Sequence, residues 1–190
     1  MRRMGSYGHS WVDGDGASSA ATSLASLAAR RLQLELDNHG VGGSSSTGTA
    51  ALVLADPPPP AELYLLMTGM NDLRLGGDAP SSLKCYSDAL HHIFDAFERA
   101  APEALVVALA QPYLLDFSLH APHNRGSNAL VDVYNHELRM IREQHPRVVI
   151  AEALGWDAVS MLAEDTVHPN DAGHACLASA AVGAVIAAWQ

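Results

Sequence analysis

The sequence has little positive charge and a single lysine. It contains 11 lysine and arginine residues against 21 aspartate and glutamate residues, which gives a net charge of −10. A surface of this charge repels phosphate backbones, so we expect no nucleic-acid partner. The one lysine, Lys84, follows no glycine-rich run. This excludes a phosphate-binding loop, which needs a lysine just after its glycines.

Cysteine and long apolar runs are also scarce. Cys85 and Cys176 are the only cysteines, too few for a zinc knuckle or a disulfide framework. The N-terminus has no apolar stretch of the roughly 7–15 residues that a signal peptide requires. No segment approaches the roughly 20 apolar residues of a membrane span. We therefore expect a cytoplasmic protein with no membrane partner.

The remaining composition is typical of a globular protein. The chain has 190 residues, of which 48% are hydrophobic and 17% charged, and this predicts one domain over residues 1–190. Apolar runs of strand length alternate with helical patterns. The predicted strands are residues 4–7, 32–36, 63–67, 105–109 and 148–150. The predicted helices are residues 17–31, 49–55, 81–101, 128–144 and 170–189.

This alternation predicts a three-layer α/β/α fold, in which a parallel sheet of about five strands has helices on both faces. Residues 111–125 form a loop long enough to favour a functional role. The first strand, Met-Gly-Ser-Tyr, is poor in β-branched and apolar residues. Either that strand is short, or the native chain begins upstream of Met1.

Reactive side chains occur in four segments near the predicted carboxyl ends of strands, where ligands collect in such sheets. Ser10 follows the first strand, a glycine-rich stretch follows the second, and Asn71 follows the third. Asp165 and His168 precede the last helix, three residues apart, a spacing that lets the carboxylate hold Nδ1 of the imidazole. Each segment has an ordinary structural interpretation, such as a helix cap or a turn. Together they supply a nucleophile, oxyanion donors and an oriented base.

In this order the four segments resemble the sequence blocks of the SGNH hydrolase superfamily, also called GDSL-type esterases and lipases. The matching stretches are Gly8-His9-Ser10, Asn38-His39-Gly40-Val41-Gly42-Gly43, Gly69-Met70-Asn71-Asp72 and Asp165-Thr166-Val167-His168-Pro169-Asn170. The resemblance implies a flavodoxin-like sheet with strand order 2-1-3-4-5.

The same resemblance implies the roles of individual residues. Ser10 takes the position of the nucleophile, His168 that of the base, and Asp165 that of the carboxylate that orients it. Ser10, Gly43 and Asn71 take the positions of the oxyanion hole. No metal and no organic cofactor is implied.

The sequence departs from the family at His9, where aspartate is usual. His9 could replace it as a neutral hydrogen-bond donor or acceptor, or it could alter the pH profile. Asp13 and Asp15 follow closely, and their side chains form either a solvated turn or a contact with substrate or a cation.

Five residues are candidates for contact with substrate: His9, Trp11, Tyr113, His120 and His123. For Trp11 and Tyr113, packing in the core is an equally good interpretation. Ten histidines invite a metal hypothesis, and His91 and His92 are adjacent on a predicted helix. Because no carboxylate or thiol stands at a recognisable spacing from them, we expect no metal.

The predicted function is therefore hydrolysis of a carboxylic ester through an acyl-enzyme. The predicted partner is a small-molecule acyl ester, and the sequence leaves the oligomeric state open. Two alternatives remain: an acyltransferase that uses the same residues, and a non-catalytic binding protein that keeps the fold.

Overall fold

The computed structural model describes residues 2–190, and five parallel strands form its central sheet. The strands are β1 (Arg3–Gly8), β2 (Glu35–Gly40), β3 (Leu63–Met67), β4 (Leu105–Leu109) and β5 (Val148–Ala151). Their order in the sheet is β2-β1-β3-β4-β5, and each neighbouring pair is parallel. This confirms the strand order expected from the resemblance.

Helices cover both faces of the sheet. They are α1 (Ser10–Asp13), α2 (Leu24–Leu32), α3 (Ser46–Ala55), α4 (Met70–Gly76), α5 (Pro80–Ala100), α6 (Asn128–Arg142), α7 (Ala158–Met161) and α8 (Asp171–Ala188). One group, α3, α5 and α6, packs together, while α2 and α8 pack on each other and on the sheet. Every residue of β3 and β4 is buried, as expected for strands covered on both faces. The fold is the predicted three-layer α/β/α arrangement.

The first strand is central in the sheet despite its small residues. β1 spans six residues and pairs with both β2 and β3. A Cβ atom on Gly5 would lie 3.0 Å from the Tyr64 ring and 3.1 Å from the Tyr7 ring. Aromatic rings therefore occupy the space that a larger side chain at position 5 would need, and this explains a strand with so few β-branched residues.

The predicted second strand, residues 32–36, is wrong by three to four positions. Leu32 ends α2, and Gln33 leaves the helix with a φ of 58°, so β2 begins only at Glu35. It continues through Asp37 to Gly40 because it is an edge strand, with no residue fully buried. An edge strand with solvent beside it accepts polar residues that a central strand would exclude.

The predicted helix over residues 17–31 also differs from the structure. Residues 17–31 are not one helix: Ala20–Thr22 form a short 3₁₀ turn, and Ser23 caps α2 by accepting from the Ser26 N–H.

The closing helix, α8, is long and apolar enough to cross a membrane by length and composition alone. This corrects the expectation that no segment approaches a membrane span. In this structure α8 packs against α2, β4 and β5.

Candidate active site

A cavity of about 350 Å³ lies at the carboxyl edge of the sheet. Its lining contains all of the residues predicted as catalytic or as oxyanion donors, together with two predicted substrate contacts. The lining residues are Ser10, Asp15, Gly43, Asn71, Arg74, His120, His123, Asp165, Val167 and His168. We call this cavity the cleft. Segments far apart in the chain meet there because parallel strands end at the same edge.

The turn between β1 and α1 places Ser10 at the floor of the cleft. Gly8 has a φ of 142°, and a Cβ atom there would lie only 2.0 Å from the carbonyl oxygen of Met67. Only glycine fits such a position. The turn makes Ser10 the first residue of α1, and Ser10 is 6% exposed. Its hydroxyl is thus held by a rigid strand end and a helix start.

Asp165 and His168 form one tight turn. The Nδ1 of His168 lies 2.6 Å from Oδ2 of Asp165. The other oxygen, Oδ1, accepts from the backbone N–H groups of Val167 and His168, each at 2.9 Å. Thr166, which follows Asp165 in this turn, has a φ of 62°. Both carboxylate oxygens are therefore engaged by the turn itself.

These bonds keep Asp165 ionised. Partial burial acts to raise the pKa of Asp165, but the hydrogen bonds from His168 and from the Val167 backbone, together with the His168 charge, outweigh it and lower the pKa below its usual value. A carboxylate on Nδ1 requires the proton on that nitrogen, so Nε2 is free to accept.

The free nitrogen faces the serine. Nε2 of His168 lies 3.1 Å from Oγ of Ser10, across 158 positions of sequence. The carboxylate of Asp15 also approaches Nε2, at 3.8 Å. Of the two residues in the early acidic turn, Asp15 is the one that lines the cleft. The chain Asp165–His168–Ser10 has the geometry of a nucleophile, a base and an orienting carboxylate.

Three residues that line the cleft carry N–H groups without a partner. The backbone N–H groups of Ser10 and Gly43 form no hydrogen bond within residues 2–190. Gly43 has a φ of 73°, and a Cβ atom there would have no neighbour within 4 Å. The side-chain amide of Asn71 donates one hydrogen to the carbonyl of Ser44 at 3.0 Å, which leaves its second hydrogen free. The same bond fixes the loop that carries Gly43.

A buried carboxylate holds that loop from its other end. Asp72 accepts from the backbone N–H of Ser46 at 2.8 Å and from the Ser46 hydroxyl. Burial raises the pKa of Asp72, against the Ser46 hydrogen bonds that lower it. The Asn71-Asp72 pair on α4 therefore ties down both sides of residues 44–46.

His9 belongs to a buried polar network beneath the cleft. It is 1% exposed, and its Nδ1 accepts from the backbone N–H of Trp11 at 3.3 Å, which caps α1. Its Nε2 lies 3.4 Å from Oε1 of Gln111. Gln111 in turn donates to the carbonyl of Thr68 at 3.0 Å and exchanges two hydrogen bonds with Asn135. The network joins the ends of β1, β3 and β4.

The network requires a neutral His9. Burial is the largest cause that lowers the pKa of His9, and it brings the pKa to about 4. Because Nδ1 accepts, the proton lies on Nε2. His9 therefore acts as both hydrogen-bond acceptor and donor at this position.

Three predicted substrate contacts do not reach the cleft. His9 and Trp11 are buried, and Trp11 stacks on Trp156 with ring centroids 5.7 Å apart. Tyr113 is exposed and donates to Asp132 at 2.7 Å, beside a separate cavity. Packing rather than substrate contact is the role that the structure gives Trp11.

The long loop brings the other two predicted contacts to the cleft. Residues 111–127 contain no helix or strand, and His120 and His123 both line the cleft. His120 donates from Nε2 to the carbonyl of Asp165 at 2.8 Å. Burial and the charge of Arg74 lower the pKa of His123. The loop thus covers the side of the Asp165 turn.

Two further residues shape the site, and the sequence motifs assign neither of them a role. Arg74 lines the cleft and is 6% exposed; its place one turn after Asn71 on a helix was the available signal. His174 is completely buried, accepts from the Leu24 N–H at 3.1 Å and donates to the Asp15 carbonyl at 3.0 Å. It fixes the acidic turn to α2 and α8.

One possible metal-ligand cluster lies elsewhere in residues 2–190. Asp95, Glu98 and His145 bring their ligand atoms within 4.8 Å of one another, and His91 lies 3.3 Å from His145. His145 also borders a cavity beside Ala104 and Val148, near the amino ends of β4 and β5. The cluster is therefore at the edge of the sheet opposite the cleft.

A sequence model of the GDSL-like lipase/acylhydrolase family matches residues 6–176. No curated protein matches the chain.

Solved structures share the fold at low sequence identity. A lipase from a goat-rumen metagenome is 16% identical with a TM-score of 0.73, over 97% of each chain. A lipase/acylhydrolase from Enterococcus faecalis is 16% identical with a TM-score of 0.74, over 99% of this chain and 97% of that one. A possible lipase from Chitinophaga pinensis is 15% identical with a TM-score of 0.76, over 100% of this chain and 99% of that one.

Proposed function

Because the chain belongs to the GDSL-like lipase/acylhydrolase family and is an ester-hydrolysing enzyme, we propose that it cleaves carboxylic esters through an acyl-enzyme on Ser10. The observation that carries the proposal is the 3.1 Å contact between Oγ of Ser10 and Nε2 of His168. The opposite ring nitrogen is held at 2.6 Å by Asp165.

The first step is attack on the ester carbonyl. Nε2 of His168 takes the proton of the Ser10 hydroxyl as Oγ bonds to the carbonyl carbon. Asp165 remains a carboxylate, keeps the imidazole in the tautomer that accepts at Nε2, and stabilises the imidazolium that forms. The carbonyl oxygen becomes an oxyanion.

The oxyanion is bound by the three free N–H donors. These are the backbone groups of Ser10 and Gly43 and the second amide hydrogen of Asn71. Donors that are fixed before the reaction stabilise developing charge without reorganising. Asn71 and Asp72 supply that fixation through their bonds to Ser44 and Ser46.

The second half of the reaction releases the acid. The imidazolium of His168 gives its proton to the leaving alcohol, and the bond between that alcohol and the acyl carbon breaks. Water then attacks the acyl carbon while His168 takes its proton. The bond between the acyl carbon and Oγ breaks as His168 returns that proton to Oγ, which releases the acid and regenerates Ser10. An acceptor alcohol in place of water would give acyl transfer. Product analysis with an added alcohol separates the two reactions.

A fluorophosphonate probe tests the nucleophile directly. Intact mass spectrometry should show one adduct on the wild-type protein, none on Ser10→Ala, and much slower labelling of His168→Ala. Ser81→Ala and His92→Ala are matched controls, because both residues are exposed and outside the cleft, and should label like the wild type. A folded wild-type protein that takes no label, or a Ser10→Ala variant that still does, would contradict the proposal.

A further inference from the structure

Arg74 is the only buried arginine in residues 2–190, and it has no partner there. It lies in the last turn of α4, is 6% exposed and lines the cleft together with Ser10 and His168. Its Nε is covered without a hydrogen bond. No ion pair joins its guanidinium to any carboxylate of the described chain.

Surface arginines of the same protein behave differently. Arg2, Arg139 and Arg147 each pair with a glutamate, although ion pairs at exposed positions contribute little. Arg74 is buried in the protein, where an unpaired charge is unfavourable. It nevertheless has no such partner. A buried guanidinium that faces a cavity without a counterion is suited to bind one from outside.

Two carboxylates, Asp15 and Asp165, line the cleft with Arg74, and neither forms an ion pair with it. Asp165 is held by His168 and by two backbone N–H groups. Asp15 lies 3.8 Å from Nε2 of His168. The Asp165 charge favours the charged form of Arg74, but burial is the larger effect and lowers the pKa of Arg74. Arginine remains protonated near neutral pH in any case.

Among the described residues that line the cleft, Arg74 is the only arginine or lysine. Burial and the neighbouring Arg74 charge lower the pKa of His123, so its ring is neutral. His120 uses Nε2 to donate to the carbonyl of Asp165. Arg74 is thus the fixed positive charge of the cleft. Its planar fork of N–H groups matches two oxygens of a carboxylate or a phosphate.

We propose that Arg74 binds an oxyanion group on the substrate, so that the enzyme prefers esters that carry a carboxylate or phosphate near the scissile bond. This rests on the proposed ester hydrolysis at Ser10. The net charge of −10 repels anions at long range, but screening limits that repulsion to about 8 Å at physiological salt. Selectivity therefore comes from the short-range contact with the guanidinium.

The test compares matched neutral and anionic esters. p-Nitrophenyl butyrate and p-nitrophenyl hemisuccinate have acyl chains of equal length and differ in a terminal methyl or carboxylate group. The wild-type protein should prefer the hemisuccinate. Arg74→Gln should lower kcat/KM for the hemisuccinate by about 10- to 100-fold, mainly through KM, and change the butyrate by less than about threefold.

Two further variants separate binding from structural effects. Arg74→Lys keeps the charge without the fork and should give an intermediate preference. Arg99→Gln removes the same charge at an exposed position outside the cleft and should behave like the wild type. Equal fractional losses of kcat/KM on both esters in Arg74→Gln, which would leave the preference for the hemisuccinate unchanged, would overturn the proposal.

Binding measurements keep this inference distinct from the catalytic proposal. Succinate and inorganic phosphate are titrated calorimetrically into the wild-type protein and Arg74→Gln, and the anion that binds only with Arg74 present identifies the group recognised. Binding that survives in Arg74→Gln, or no binding of either anion to the wild type, counts against the role of Arg74. The fluorophosphonate probe carries no anionic group for Arg74 to bind. A failure to label would therefore refute Ser10 as nucleophile without bearing on anion binding by Arg74.

Discussion

The neutral His9 beneath the cleft makes the protein sensitive to acid. In an unfolded chain a histidine has a pKa of 6.5, whereas burial lowers the pKa of His9 to about 4. Between these values the unfolded state binds a proton that the folded state does not bind. The free energy of unfolding therefore decreases as the pH falls from 6.5 toward 4. Above pH 6.5 His9 is mostly neutral in both states and causes little loss of stability.

The magnitude follows from the same two values. A pH of 5 is about 1.5 units below the pKa of histidine in the unfolded chain, so that histidine is protonated, while folded His9 stays mostly neutral. At 1.36 kcal/mol per unit, the loss is roughly 2 kcal/mol relative to pH 7. Asparagine at position 9 can still cap α1, because its side chain accepts from the Trp11 N–H, but it cannot be protonated.

Urea unfolding at pH 7 and pH 5 measures this effect. The wild-type protein should lose roughly 2 kcal/mol more than His9→Asn between the two pH values, since all other titrating groups are common to both. His92→Asn changes an exposed histidine and should follow the wild type. If His9→Asn lost as much stability as the wild type, the pKa of His9 would be the same in the folded and unfolded states, and the buried neutral network we describe would be wrong.

Three further predictions concern the site and its frame. Asn71→Ala should lower kcat for a p-nitrophenyl ester by about 10²–10³, because an oxyanion donor and the anchor of the Gly43 loop are both lost; unchanged kcat would remove Asn71 from the oxyanion hole. Asp165→Asn should lower kcat by about 10³–10⁴ while fluorescence spectra stay native, because Nε2 of His168 would no longer be held as the acceptor; near-normal activity would contradict its role. Gly8→Ala should destabilise the fold by at least about 2 kcal/mol in urea unfolding, since its Cβ would meet the Met67 carbonyl; wild-type stability would show that the turn can relax.

Periodicity predicted most of the fold because the central strands are covered on both faces. β3 and β4 are continuous apolar runs, and their predicted bounds match the structure. The edge strand β2 was misplaced because its residues are half solvated and carry no such signal. The alternation of leucines at positions 32, 34 and 36 mixed the end of α2 with the start of β2.

The sequence located the candidate catalytic groups but not the side chains that support them. Ser10, Asn71, Asp165 and His168 stand in short motifs, whereas the His9–Gln111 contact joins residues 102 positions apart. Arg74 looks like any helical arginine in the sequence. Only the packing of α4 against the long loop, where the Arg125 N–H donates to the Arg74 carbonyl at 2.9 Å, shows that it is buried.

The placement of Asp165 and His168 on one turn has a consequence for how activity is lost. Their mutual geometry is made by four consecutive residues, so it needs no long loop to close. The contact with Ser10 instead closes nearly the whole chain, from α1 to the segment before α8. Partial detachment of the C-terminal segment would separate His168 from Ser10 and abolish the proposed catalysis, while most of the sheet stayed intact. Conversely, a cut among the exposed residues 118–122 of the long loop would leave the three side chains of the proposed catalytic group aligned, provided that the two fragments remained associated.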